Sequence, residues 1–311
     1  MALTLERLPA DEYAEWREGA IGRRAASPRS RGIPAALAAQ RAREVFDRLL
    51  PASGPPEGTE VLAVDDDGRR AGSLFLLPTH GSVQLGDLRL ADPADAPAVR
   101  DLVVERLRHR GVGTLGIGVT TGDPAAEALV DGAGFELVAT QMQLDLTTAP
   151  PPAGSGLTVR PMTPAEVSAY LANTVETFAD ETMSADPSLT REAALASSRE
   201  VHEGLLPQGL DTPGHDLLVG LEATTGRRVG ITWLFHEERA GFVYDVEVDE
   251  AERGKGHGRG LMEAADRHLR GLGMEVLGLN VFGHNHVAHG LYTALGYAVV
   301  DRNLNLALSP R

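Results

Sequence analysis

Apolar and polar positions in this chain change period in an ordered way, and the order is clearest in the second half. Residues 216–221, 229–235 and 241–248 are short, β-branched or aromatic runs that read as strands of a hairpin region. The period then lengthens. Leu261, Ala265 and Leu269 recur every fourth residue and predict a helix over about 258–272. A strand over 276–281, a helix over about 286–295 and a strand pair over 297–300 and 303–308 complete the series. In the last of these Leu304, Leu306 and Leu308 alternate with polar or small residues. Mixed strands followed by strand–helix units predict an α/β layer fold.

Fragments of this pattern occur twice. Thr4 aligned on Thr158 brings Glu12 onto Glu166 and Trp16 onto Tyr170. Arg43-Glu44-Val45 precedes Leu49-Leu50-Pro51 as Arg199-Glu200-Val201 precedes Leu205-Leu206-Pro207. Gly134-Phe135 lies over Gly296-Tyr297. Three collinear matches with slowly growing offsets indicate a tandem duplication with loop insertions. The Pro-, Gly- and Ala-rich stretch 149–156 reads as the linker, dividing the chain into 1–148 and 157–311.

Composition narrows the function classes. The 311 residues suit two domains. The chain contains no cysteine, so disulfides, thiolate metal sites and a cysteine nucleophile are excluded. No apolar run approaches the roughly 18–20 residues of a membrane span. Glu6, Arg7, Asp11 and Glu12 stand where an export signal needs an apolar core, so the expectation is a cytoplasmic protein without a membrane partner. A net charge of −15 argues against nucleic acid as a partner. It suits a cationic substrate, although solubility alone also accounts for it.

The candidate chemistry lies where the strand Val246-Glu247-Val248 runs into Arg253-Gly254-Lys255-Gly256-His257-Gly258-Arg259 and opens a helix. Glycines let backbone N–H groups close on an anion, the helix start adds free N–H groups, and the basic residues add charge. This is a pyrophosphate cradle. The spacing excludes a Walker loop, because Gly254-Lys255 is followed by Gly256. It also excludes a dinucleotide fingerprint counted from Gly256, whose third glycine position holds Leu261. The segment Asn285-His286-Val287-Ala288 through Leu291-Tyr292 to Gly296-Tyr297 adds a helix N-cap, an apolar face and a stop glycine.

Arg253-x-x-Gly256-x-Gly258 resembles the acetyl-CoA pyrophosphate loop of the GNAT N-acetyltransferase superfamily. Asn285, Ala288, Leu291, Tyr292, Gly296 and Tyr297 resemble its second motif. The resemblance covers the second half and, more weakly, the first. It implies two tandem domains, each a mixed, mostly antiparallel central sheet flanked by helices. It also implies acetyl-CoA as co-substrate, no metal, an amine acceptor, and a monomeric pseudo-dimer or a homodimer.

The same resemblance makes Tyr292 the acid that protonates the departing thiolate. It brings the backbone of Val246 and Val248 to the thioester and Asn285 to the pantetheine arm. A neutral amine requires a base, because an alkylammonium has a pKa near 10.4. Asp245 and Glu247 share one face of the strand, and Glu247 is the favoured candidate. An ordinary solvated strand carboxylate is the alternative for either. His284, His286 and His289 cluster within the second motif, which takes them as helix and turn residues rather than metal ligands.

The first half lacks this chemistry. The counterpart of the loop is Leu90-Ala91-Asp92-Pro93-Ala94-Asp95-Ala96-Pro97-Ala98, with two acids, two prolines and no basic residue. Asp123 replaces Asn285, and Val130 replaces Tyr292. A structural first half and one working acetyl-CoA site are therefore expected. The favoured acceptor is a small-molecule amine. The alternatives are a protein or peptide amine, or an acyl-CoA-binding sensor or scaffold with little catalysis.

Overall fold

A computed structural model describes residues 3–79, 81–154, 156–185 and 189–308. The first half runs β1 (Leu3–Arg7), α1 (Tyr13–Ala25), α2 (Ala35–Leu49), β2 (Glu60–Asp66), β3 (Arg69–Thr79), β4 (Ser82–Leu90), α3 (Ala96–His109), β5 (Thr114–Thr120), α4 (Pro124–Val130) and β6 (Glu136–Asp145). The second runs β7 (Leu157–Pro161), α5 (Pro164–Ala185), α6 (Arg191–Leu205), β8 (His215–Glu222), β9 (Arg228–Glu237), β10 (Ala240–Val248), α7 (His257–Gly271), β11 (Val276–Phe282), α8 (His286–Ala294) and β12 (Ala298–Ala307).

The two halves share one element order, and the repeated sequence fragments fall on equivalent local structures. Leu50 and Leu206 end α2 and α6 alike, their N–H groups reaching Phe46 O at 2.7 Å and His202 O at 2.9 Å. Pro51 and Pro207 follow, and a residue before proline is driven out of the helical region. Gly134 and Gly296 both take left-handed φ, 78° and 90°, at the turns that lead into β6 and β12.

By packing, the chain divides into Met1–Leu144 with Asn280–Arg311, and Asp145–Leu279. The sequence repeat and the packing units are thus cut at different places. In the first unit the strand order is β1-β2-β3-β4-β5-β12-β6. Here β12 lies antiparallel between β5 (Leu304↔Ile117) and β6 (Leu304↔Leu137). The expected pair of short terminal strands is one strand. Irregularities between Val299 and Asp301 and between Asn303 and Leu304 bend it and break its alternation, which made it read as two. Leu62, Leu74, Leu76, Val99, Leu107, Leu115 and Leu304 form the core of this unit.

In the second unit the order is β11-β10-β9-β8-β7, antiparallel except for β10 with β11. Val167 and Tyr170 of α5 and Leu206 beyond α6 cluster with Leu217, Ile231 and Trp233 on one face. Gly220 and Gly230 face α7, whose Leu261, Ala265 and Leu269 are all fully buried. A Cβ on Gly220 would stand 2.2 Å from Leu261 Cδ2, and one on Gly230 would stand 2.2 Å from Glu247 O. The helix sits this close to the sheet only because those side chains are missing. The connector packs on the same helix. Arg267 donates to Leu157 O at 3.1 Å, and Arg270 to Leu146 O at 2.5 Å and Ala149 O at 3.1 Å.

Gly230→Ala tests this close fit. The added methyl group forces β9 from the Glu247 carbonyl, an overpacking cost of about 1–3 kcal/mol. Urea unfolding should show a lower midpoint, whereas an unchanged midpoint would mean that the sheet opens freely there.

Candidate active site

The glycine loop lies where its sequence placed it, between β10 and α7. Gly254 and Gly256 take left-handed φ of 75° and 83°, and Gly256 is the N-cap of α7 with no side chain over the helix end. The turn of α7 closes with Gly260 N–H on Gly256 O at 3.2 Å. The N–H groups of His257, Gly258 and Arg259 meet no backbone acceptor among the described residues. Three donors at the positive end of a helix dipole form an anion seat.

Glu252 organises the loop from beneath. It is buried, 6% exposed, and receives Lys255 Nζ at 3.1 Å, Arg227 Nη1 at 3.0 Å and His257 Nε2 at 3.3 Å. The Lys255 hydrogen bond, with the Arg227 charge, holds its carboxyl below the usual glutamate range. Arg253 Nε reaches back to Val248 O at 3.3 Å. Arg259 stands 4.0 Å from Glu263, too far for a tight pair. Residue types alone marked the loop cations. The Glu252 hub was missed, since an acid beside three glycines reads as a solvated loop residue.

β10 supplies the second part. It pairs with β11 only from Ala240↔Val276 to Val243↔Leu279, and beyond an irregularity at Val243/Asp245 it pairs with β9 alone. The edge of Tyr244–Val248 thereby opens from its parallel neighbour, and Val246 and Val248 lie on that edge. Asp245 and Glu247 are opposite Trp233 and Ile231, on the face that packs against α5. Tyr170 donates its hydroxyl to Asp245 Oδ2 at 2.8 Å. Burial, and then the Asp245 charge, push the Tyr170 phenol far up, so it remains a donor. Glu247 is half-buried and has no hydrogen-bond or ion-pair partner among the described residues. Of the two carboxylates, Asp245 is the one that a described hydrogen bond engages.

Aromatic rings line the same face. His215 stacks on Tyr244 with centroids 5.7 Å apart, and Trp233 lies 5.0 Å from Tyr244. Trp233 Nε1 donates to His215 Nδ1 at 2.9 Å, which leaves the ring proton on Nε2. Burial, then the neighbouring His236, lowers the His215 pKa and keeps it neutral. Tyr244 stays 40% exposed at the end of the cluster. Only Tyr170 had a signal in the sequence, as the partner of Trp16 in the repeat. The ring cluster joins three strands and had none.

Asn285 and Tyr292 belong to the first unit, while the loop and the strand carboxylates belong to the second. Asn285 caps α8, its Oδ1 accepting from Ala288 N at 3.1 Å. Tyr292 is buried, with its ring centroid 5.9 Å from that of Tyr297. Among the described residues, no group of three His, Asp or Glu side chains is placed to hold a metal ion. No described helix is long and apolar enough to cross a membrane.

The first-half counterparts are spent on local structure. Asp92 accepts from Ala94 N at 2.9 Å, and a turn at Pro93–Asp95 stands in place of the glycine loop. Asp123 caps α4, accepting from Ala125 N at 3.1 Å and Ala126 N at 3.2 Å. The strand opening is kept, because β4 pairs with β5 only from Ser82↔Thr114 to Leu85↔Ile117.

A family model described as Acetyltransferase (GNAT) family matches residues 184–297. The chain is 35% identical over 145 residues to the uncharacterized N-acetyltransferase YycN of Bacillus subtilis, covering 45% of this chain and 92% of that one. It is 30% identical over 255 residues to a mycothiol acetyltransferase of Thermobispora bispora, covering 74% of this chain and 82% of that one. The crystal structure of a GCN5-related N-acetyltransferase from Sphaerobacter thermophilus superposes with a TM-score of 0.57 at 20% identity. That match covers 99% of this chain and 96% of the other, and it supports the fold.

Glu252→Gln measures what the hub contributes. A carboxyl with a depressed folded pKa stabilises fully above its unfolded value, near 4.5, and loses that contribution as pH falls through the folded value. The variant should have a lower urea midpoint than the parent at pH 7. The gap should close as pH drops below about 4.5. A gap independent of pH would assign the loss to packing.

Proposed function

The chain belongs to the GNAT family of acetyltransferases, and on that premise we propose that it moves the acetyl group of acetyl-CoA onto a small-molecule amine, using one acetyl-CoA site per chain. The observation that carries the reading is the loop Arg253–Arg259. It pairs an uncapped helix start with two left-handed glycines and flanking cations, a seat suited to a pyrophosphate. Arg253, Gly254, Lys255, Gly256, His257, Gly258 and Arg259 are the residues we assign to it.

The open edge of β10 supports a place for the thioester, where the backbone N–H of Val248 or of Val246 meets the carbonyl oxygen as it gains negative charge. Glu247 takes a proton from the bound ammonium, directly or through water, and leaves the neutral amine that attacks; Asp245 is the alternative base. Nitrogen then bonds the acetyl carbon, the carbon–sulfur bond breaks, the thiolate takes a proton from Tyr292, and the second proton lost from nitrogen restores the phenol through solvent. The roles of Tyr292 and of Asn285 on the pantetheine arm rest on their positions in the motif 285–297. The acidic face of β10, with its aromatic neighbours, favours a cationic acceptor. The overall charge of −15 acts in the same sense.

Thiol release from acetyl-CoA across an amine panel is the test. A turned-over amine is expected, with Glu247→Gln lowering kcat by about 10²–10⁴-fold and Tyr292→Phe lowering it without loss of CoA affinity. Tight CoA binding with no amine acetylated would replace the enzyme reading by a sensor. Titration calorimetry should give one CoA per chain, abolished by Gly256→Glu. Two sites would show that the first half still binds the co-substrate.

A further inference from the structure

The first unit contains a cleft of about 650 Å³, within the size range of small-molecule sites. It is not the counterpart of the pyrophosphate loop, because none of residues 90–98 lines it. Its floor is apolar, built from Phe46, Leu50, Phe75, Leu85 and Ile117. Gly86 makes room for that floor, since a Cβ there would stand 2.2 Å from the Phe75 ring. Asp301 and Asn303 of β12 close one side.

Charge at the cleft is unbalanced once internal pairs are set aside. Asp87 is held by Arg23 through two bonds of 2.8 and 2.6 Å. Asp301 is held by Arg29 and by the Thr120 hydroxyl at 3.0 Å. Asp123 caps α4. Every acid lining the cleft is thereby engaged. Arg24 and Arg89 also line it, are open to solvent, and have no hydrogen bond or ion pair among the described residues. Unpaired cations over an apolar floor suit an anion with an apolar body.

We propose that the cleft of the first unit binds a small amphipathic anion, its carboxylate or phosphate at Arg24 and Arg89 and its apolar body against Phe46, Phe75 and Ile117. The cleft shares no residue with the loop Arg253–Arg259 assigned to acetyl-CoA and does not depend on the proposed reaction. Three probes that share one ring system separate charge from shape: 1-naphthoate, 1-naphthyl phosphate and 1-naphthylmethylamine. Each is titrated calorimetrically into the full chain with CoA at saturation, so that the pyrophosphate seat is already filled.

Saturable 1:1 binding of at least one anion is expected, with the amine at least 10-fold weaker. The two anions together show whether the cleft prefers carboxylate or phosphate. Arg24→Gln should weaken the bound anion 10-fold or more. Gly118→Leu should abolish binding by filling the cleft. A Cβ at Gly118 would meet only Asn303 at 3.5 Å and Asp301 at 3.7 Å, so that strand tolerates it. If Gly118→Leu unfolds, Arg24→Gln decides alone. Failure of both anions to bind, equal binding of the amine, or anion binding unaffected by Arg24→Gln would each overturn the proposal.

Discussion

The seating of α7 on its sheet is the constraint from which the candidate active site follows. Leu261 is fitted against the bare backbone of Gly220 and Gly230, and Ala265 and Leu269 continue the seam. Burying a side chain of this size stabilises by about 1.5–3 kcal/mol, and here the seam also fixes where the helix starts. At the far end His268 meets Asp216 at 2.8 Å, and Arg267 and Arg270 hold the connector. With the helix held along its length, three backbone N–H groups and two left-handed glycines come to rest beside the open edge of β10. Anion seat and strand edge are consequences of one packing contact.

The halves show how one frame serves different chemistry. Both keep the element order and the parting of a parallel strand pair. They differ in what fills the N–H groups at the turn after the fourth strand. In the second half that end is left bare by Gly256, whereas in the first a short turn at Pro93–Asp95, capped by Asp92 through Ala94 N–H, stands ahead of the helix, and Pro97 removes one donor from the helix start. Acids and prolines there offer an incoming phosphate little. The fourth strands of the two halves also carry opposite free charge, Glu247 on β10 and Arg89 on β4, the latter joined at the cleft by Arg24 of α1.

Much of this was legible in the sequence because it is local. Glycines between basic residues, a stripe at every fourth position and a stop glycine such as Gly296 each act within a few residues, so their order along the chain is their order in space. The contacts that complete the site span longer separations. Tyr170 reaches Asp245, Trp233 reaches His215, and Arg227 reaches Glu252. No periodicity carries such pairings. The last strand escaped for a different reason. Its irregularities at Asp301 and Leu304 disturb the alternation, and its partners β5 and β6 lie more than a hundred residues upstream.

That strand gives the molecule a direction in time. During synthesis the first 144 residues leave the ribosome long before residues 298–307 exist, at about 5–20 residues per second. Until β12 arrives, β5 and β6 present unpaired edges to whatever else is nearby. The unit that holds β5 and β6 is thus made early and completed late, and a nascent chain cut short before β12 leaves both edges open.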